Sequence, residues 1–189
     1  MDGYKTEIEK NVRSHLKISV IIISYNVRSF LRQCIKSVLN SDGIDDIEII
    51  VYDNNSFDQS ADMITREFPS VHLIENSKNL GFAAAVNAAV SNATGDKICL
   101  LNPDCVLKTD TLKYMADYLN DNSGTGIVGA KVMNADGTIQ RASRRSFPTF
   151  FMGISRLFSL DKLFPNSKLF GAYNRTHQSE NAIQEADAV

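Results

Sequence analysis

Cysteine and histidine are both scarce in this chain of 189 residues, with three of each. Cys34, Cys99 and Cys105 are odd in number and without paired spacing, and His15, His72 and His177 stand far apart, so neither a disulfide framework nor a zinc site is expected. The thiols read as reduced and packed, which suits a cytoplasmic protein. The histidines read as surface or edge residues. A formal net charge of -2 gives no overall attraction to nucleic acid or to an anionic membrane, so any anionic ligand has to be held locally. No stretch approaches the roughly 20 apolar residues of a transmembrane helix. Met1 to Lys17 mixes Glu, Lys, Arg and His without an apolar core, which excludes a signal peptide. A soluble protein follows, or one attached at most to a membrane surface, at its cytoplasmic face. Two phosphate-binding devices are missing as well. No Gly-x-Gly-x-x-Gly follows the first predicted strand, and no Gly-Lys-Ser/Thr loop occurs, so neither a glycine-rich dinucleotide turn nor a P-loop is present.

What the chain has is an alternation. Ile18-Ser19-Val20-Ile21-Ile22-Ile23 is a short, β-branched, nearly continuous apolar run, the pattern of a strand buried on both faces of a parallel sheet. From Val27 to Asn40, Leu31, Cys34, Ile35, Val38 and Leu39 recur at helical spacing. A second strand is predicted over Ile47 to Tyr52, with a helix carrying Ala61, Ile64 and Phe68. A third covers Val71 to Ile74, before an Ala-rich helix from Phe82 to Ala93. Lys97 to Leu101 reads as the fourth. Thr109 then makes a good N-cap for a helix with Leu112, Met115, Ala116 and Leu119 on one face, and Gly126 to Met133 supplies a fifth strand. Strands alternating with helices through short connections predict βαβ units, hence an α/β, Rossmann-like sandwich with a mostly parallel central sheet. Residues 18–146 read as one domain after a 1–17 extension, and 147–189 as an aromatic-rich segment.

Past Asn134 the character changes. Asp136-Gly137 reads as a hairpin turn, and Arg141, Arg144 and Arg145 form a local basic cluster. Phe147 to Phe170 carries many Phe, Leu and Met residues: either a packing helix or lid over a site, or an amphipathic element on a membrane surface.

The carboxyl ends of the strands in such a sheet are where ligands bind. Four of them carry polar groups: Ser24-Tyr25-Asn26, Asp53-Asn54-Asn55-Ser56, Asn76 to Phe82, and Asn102-Pro103-Asp104. Together they offer what a nucleotide needs, a flat contact for the base, partners for its edge and hydroxyl acceptors for the ribose. With no glycine-rich phosphate cradle, the diphosphate charge calls for a metal. Asp104 is its natural ligand, and hard oxygen donors favour Mg²⁺ or Mn²⁺.

Four motifs in order, Val20-Ile21-Ile22-Ile23-Ser24-Tyr25-Asn26, Val51-Tyr52-Asp53-Asn54-Asn55-Ser56-Phe57-Asp58, Asn79-Leu80-Gly81-Phe82-Ala83 and Leu101-Asn102-Pro103-Asp104, resemble the family 2 glycosyltransferases of GT-A fold. The resemblance covers about residues 17–150. Asp136-Gly137-Thr138 and Arg144-Arg145-Ser146-Phe147-Pro148 bring it nearest the rhamnosyltransferase-type subgroup of surface-polysaccharide assembly. It implies an inverting transfer from a nucleotide diphosphate-sugar, dTDP-rhamnose in that subgroup, to a saccharide or lipid-linked acceptor.

Carried over by residue, Tyr25 borders the base, Asp53 and Asn54 face the base edge and ribose, and the backbone of Ile23 and Ser24 lines the pocket. Asn79, Gly81 and Phe82 approach the donor sugar, Asn102 bonds sugar or ribose, and Asp104 holds the metal. Many relatives have Asp-Asp where this chain has Asp53-Asn54. The family's Asp-x-Asp metal motif here lacks its first carboxylate. The resemblance places the catalytic base beyond Val189, with Asp187 the one candidate inside the chain, so the chain is expected to be a donor-binding portion that transfers poorly alone. Two other readings stand beside it: a nucleotide-binding fragment without turnover, and a sugar-phosphate nucleotidylyltransferase.

Overall fold

The computed structural model of the protein describes residues 16–140, together with single positions at 150, 157, 167 and 183. Arg141, Arg144, Arg145, Asp187 and nearly all of the aromatic-rich segment therefore lie outside the described residues. The chain divides into two compact units, Met1–Asp117 and Tyr118–Val189.

In the first unit the predicted alternation is realised. The elements run β1 (Lys17–Ser24), α1 (Arg28–Leu39), β2 (Asp46–Asp53), α2 (Ser60–Glu67), β3 (His72–Glu75), α3 (Phe82–Val90) and β4 (Lys97–Leu101), with α4 (Thr111–Asp121) crossing the boundary. The strands form one four-stranded sheet in the order β3-β2-β1-β4, parallel at each pairing. The central position of β1 explains its composition: with neighbours on both edges and helices on both faces, nearly every residue has to be apolar.

Alternate residues of β1 supply two cores. Ile18, Val20 and Ile22 pack with Ile49 and Val51 of β2 against Leu31, Cys34, Ile35 and Val38 of α1, Met63 and Ile64 of α2, and Leu112 and Ala116 of α4. Ile21 packs with Ile50 and Tyr52 against Ala85 and Ala89 of α3. Alanine on α3 lets that helix sit close to the sheet. At roughly 1.5–3 kcal/mol for each fully buried aliphatic side chain, these layers dominate the stability of the unit. His72 is exposed and the three cysteines are free thiols, as expected.

Two expectations are corrected. Gly126 to Met133 does not join the sheet. Gly126 and Gly129 interrupt its apolar run, Ile127 is exposed, and the local pairing is an antiparallel bridge between Met133 and Ile139. That bridge closes the turn predicted at Asp136-Gly137, with Gly137 at φ 83° and Asn134 N–H donating to the Thr138 carbonyl at 2.7 Å. The helix expected to start after Thr109 begins at Thr111 instead, the Asp110 carbonyl accepting the Tyr114 N–H at 2.9 Å. Among the described residues no helix is long and apolar enough to cross a membrane.

Candidate functional site

Parallel register brings the predicted strand ends together. Ser24 and Asp53 are direct partners across β1 and β2, Asp53 is in turn the partner of Glu75 on β3, and Ile22 is that of Leu101 on β4. Neighbouring strands lie about 4.8 Å apart. The β1 end thus stands between Asp53-Asn54 on one side and Asn102-Pro103-Asp104 on the other.

At the centre of this edge, Ser24 and Asp53 are buried, with 0% and 3% of their surfaces exposed. Asp53 Oδ2 accepts the Ser56 N–H at 2.8 Å, but Asp53 Oδ1 and Ser24 Oγ have no hydrogen-bond partner. A buried polar atom left without a partner costs about 1–3 kcal/mol. Two of them on adjacent register partners make this edge of the sheet the candidate ligand site. Ile23 is half-buried beside them, and Tyr25 is 45% exposed at the rim.

The loops around the pair are tied to each other. Asn26, left-handed at φ 54°, takes the Ser56 hydroxyl as acceptor for its N–H at 2.9 Å, while its Oδ1 accepts the Phe57 N–H at 2.7 Å. Asp58 accepts the Arg28 N–H at 2.8 Å through Oδ2, and the Ser60 N–H and hydroxyl at 3.1 and 2.5 Å through Oδ1. One carboxylate thereby serves the first N–H of α1 and of α2. Burial pushes the Asp58 carboxyl up, but the Ser60 hydroxyl and the Arg28 and Ser60 N–H groups outweigh it and hold it below the usual range. Sequence reasoning placed Asp58 within a motif but missed this role, as it missed Arg28, whose Nε is buried without a partner at the start of α1. An Asp two residues before a Ser that opens a helix is the signal for half of it; the bond to α1 has none.

On the β3 side, Asn54 is buried and its amide is engaged at both ends, with Leu80 N–H donating to Oδ1 and Nδ2 donating to Asn79 Oδ1, each at 2.9 Å. Asn79, Gly81 and Phe82 are exposed. Gly81 sits at φ 77° and ψ 168°, a region open essentially to glycine alone, and the space a Cβ would enter is free.

On the β4 side, Asn102 and Asp104 are exposed, and the Asn102 carbonyl receives the Cys105 N–H at 3.1 Å and the Cys34 thiol at 3.5 Å. Burial, and then the neighbouring Cys105 and Asp104, push the Cys34 thiol up to about 12, and burial pushes Cys99 to about 11, so both stay protonated and inert. Among the described residues no three His, Cys, Asp or Glu side chains cluster as a self-sufficient metal cage. A single exposed carboxylate still fits Mg²⁺ or Mn²⁺, which commonly bind through one or two carboxylates with substrate phosphates filling the other positions.

Residues 19–177 match the family model described as glycosyl transferase family 2. An uncharacterized glycosyltransferase of Nostoc sp. is 33% identical over 133 residues, 68% of this chain and 41% of that protein. An abequosyltransferase of Salmonella typhimurium is 31% identical over 136 residues, 69% of this chain and 40% of that protein. The chain thus spans about two fifths of the length of these relatives. Among solved structures, a mannosyltransferase of Pyrobaculum calidifontis, in complex with GDP-Man and Mn²⁺, superposes with a TM-score of 0.55 at 24% identity, covering 65% of this chain and 37% of that one. The four-stranded parallel sheet with its flanking helices is the GT-A fold.

Proposed function

The chain belongs to glycosyltransferase family 2, and from that premise we propose that its strand ends hold the nucleotide diphosphate-sugar donor of an inverting transfer to a saccharide or lipid-linked acceptor. The observation that carries this reading is the pair of buried, unpartnered atoms, Ser24 Oγ and Asp53 Oδ1, on adjacent strand ends. A nucleoside supplies the missing partners, because its base edge and ribose hydroxyls carry donors and acceptors, and Tyr25 at the rim offers a flat face for the base. The Ile23-Ser24 backbone forms the pocket floor. Asn79, Gly81 and Phe82 form the wall toward the sugar, with Asn54 acting through that loop, and Asn102 bonds sugar or ribose.

Asp104 would hold Mg²⁺ or Mn²⁺, which when bound neutralises charge on the departing diphosphate. Holding the donor in this wall orients its anomeric carbon, so that the acceptor hydroxyl attacks from the face opposite the leaving group and the product is inverted. The base that takes the acceptor proton is assigned to no described residue. Within the family we favour dTDP-rhamnose as donor, in surface-polysaccharide assembly at the cytoplasmic side of the membrane. The support for that choice is the subgroup likeness of the motifs around Asp136 and Arg144.

Calorimetric titration of dTDP and UDP, with Mn²⁺ or with chelator, tests the reading. The expected result is metal-dependent binding that Asp104→Ala weakens at least tenfold. A folded chain that binds neither nucleotide refutes it.

A further inference from the structure

We propose that Asn54 and Asn79 form a hydrogen-bonded strut that sets the donor-sugar loop, so that Asn54 positions the loop rather than reading the base. The second half of this statement rests on the donor-site reading above; the first does not.

Asn54 is 3% exposed, and its own N–H donates to the Ser24 carbonyl at 2.8 Å, which fixes its backbone between the ends of β1 and β2. Three bonds tie it to the loop. Leu80 N–H donates to Asn54 Oδ1 at 2.9 Å, Asn54 Nδ2 donates to Asn79 Oδ1 at 2.9 Å, and Gly81 N–H donates to the same Asn79 Oδ1 at 2.8 Å. Backbone N–H groups can only donate. Leu80 therefore fixes which end of the Asn54 amide is oxygen, and Gly81 does the same for Asn79. The contact between the two side chains, nitrogen of Asn54 to oxygen of Asn79, follows with no freedom left. Gly81, held at the other end, has the glycine-only backbone conformation from which α3 starts. Position 54 thus sets the entry to α3 through two bonded residues.

Asn54 both accepts and donates whereas Asn79 Oδ1 accepts twice, which makes the two asparagines unequal. In Asn79→Asp a carboxylate accepts from both Asn54 Nδ2 and Gly81 N–H, so every bond survives. In Asn54→Asp the donor is gone and a carboxylate oxygen faces Asn79 Oδ1. If Asn79 turns over to donate, its NH₂ then faces the Gly81 N–H, and one bond is lost either way. Asn at 54 is on this account the residue the strut requires.

Thermal melting of Asn54→Asp, Asn79→Asp and Asn79→Ala provides the first test. Asn79→Asp should melt within about 2 °C of the parent, while Asn54→Asp and Asn79→Ala each fall by about 3–8 °C. Equal losses in the two Asp variants, or a larger loss in Asn79→Asp, overturn the strut; should Asn54→Asp not fold, the contrast between the two Asn79 variants decides. The second test separates loop positioning from general loosening. With Mn²⁺ present, Asn54→Asp should weaken dTDP-rhamnose about tenfold and dTDP less than threefold, with UDP-glucose and UDP as the pair if the parent prefers uridine. Equal weakening of sugar-nucleotide and nucleotide means that Asn54 reads the base, which overturns the positioning role. If the parent binds none of the four, the donor-site reading fails and the strut is judged on melting alone.

Discussion

Replacing Asp58 by Ala should be among the most damaging single changes outside the apolar core. Neither α1 nor α2 has a side-chain cap from its own N-cap residue: Val27 cannot supply one, and Gln59, in a left-handed conformation, does not. Asp58 serves both helices, at 2.8 Å to Arg28 N–H and 3.1 Å to Ser60 N–H. Losing a cap costs about 1 kcal/mol, and more where the acceptor is charged and lies at the positive end of a helix dipole. Two helices uncapped at once should lose about 2–4 kcal/mol, or roughly 4–12 °C in melting temperature for a chain of this size. Asp58→Asn keeps one acceptor oxygen and should lose about half as much.

The pH dependence follows from the direction of the shift. Because the folded carboxyl titrates below its usual value, its contribution is complete above the unfolded pKa, near 4, and is lost as pH falls through the lower folded value. Urea denaturation of parent and Asp58→Ala should therefore give a gap that is constant from pH 8 to about 5 and narrows as pH falls below about 4. A melting temperature unchanged by Asp58→Ala, or a gap that does not narrow in acid, refutes the capping argument.

The opposite end of the sheet gives two more tests. A Cβ on Gly95 would stand 2.6 Å from the Ser19 nitrogen and 2.7 Å from its hydroxyl oxygen. Backbone cannot yield as a flexible side chain does, so Gly95→Ala should cost about 1–3 kcal/mol in urea denaturation; a neutral result would mean that the Thr94-Gly95 turn slides freely over β1. Glu48 accepts from the Ser19 hydroxyl and from the Thr94 N–H and hydroxyl, and these with Lys17 outweigh burial and hold its carboxyl below the usual range. Glu48→Gln should destabilise by about 1–2 kcal/mol at pH 7. The penalty should vanish as pH falls through the folded Glu48 value, and a penalty independent of pH would assign the effect to shape rather than charge.

Periodicity made the sheet legible because the signal is local. A run such as Ile18 to Ile23 states its double burial outright, and the helical spacing of Leu31, Ile35 and Val38 states which face α1 turns inward. The same logic misread Gly126 to Met133, since Ile127, Val128 and Val132 look like strand residues, and whether a strand finds a neighbour is not written in its own sequence. The strand-end places of the candidate residues were legible, because strand ends of a parallel sheet have to converge. Their connections were not. Nothing in the text of the chain says that Asp58 reaches back 30 residues to α1, or that Asn54 spends its amide on Asn79.

The two ends of the β1–β2 pair differ in how their polar groups are satisfied. Both ends of this strand pair carry a serine directly opposite a carboxylate, Ser19 with Glu48 and Ser24 with Asp53. At the amino end the pair is closed: the Ser19 hydroxyl donates to Glu48 Oε2 at 2.5 Å, and the remaining capacity is filled by Gly95 N–H, Thr94 and Lys17. At the carboxyl end the same two functional groups, in the same register relation, do not bond each other, and Ser24 Oγ and Asp53 Oδ1 are left without partners while buried. Register is matched, but Glu48 is one methylene longer than Asp53 and keeps 19% of its side chain exposed, whereas Asp53 is 3% exposed. The loops differ: the turn before β4 folds over the first pair and bonds it, whereas beside the second pair Asn26 bonds Ser56 and Phe57, and Asp58 bonds Arg28 and Ser60, so none of these groups satisfies Ser24 Oγ or Asp53 Oδ1. Satisfying both pairs would have gained about 1–3 kcal/mol for each atom, so the unmet capacity of Ser24 Oγ and Asp53 Oδ1 is what supports the proposed donor site at this end.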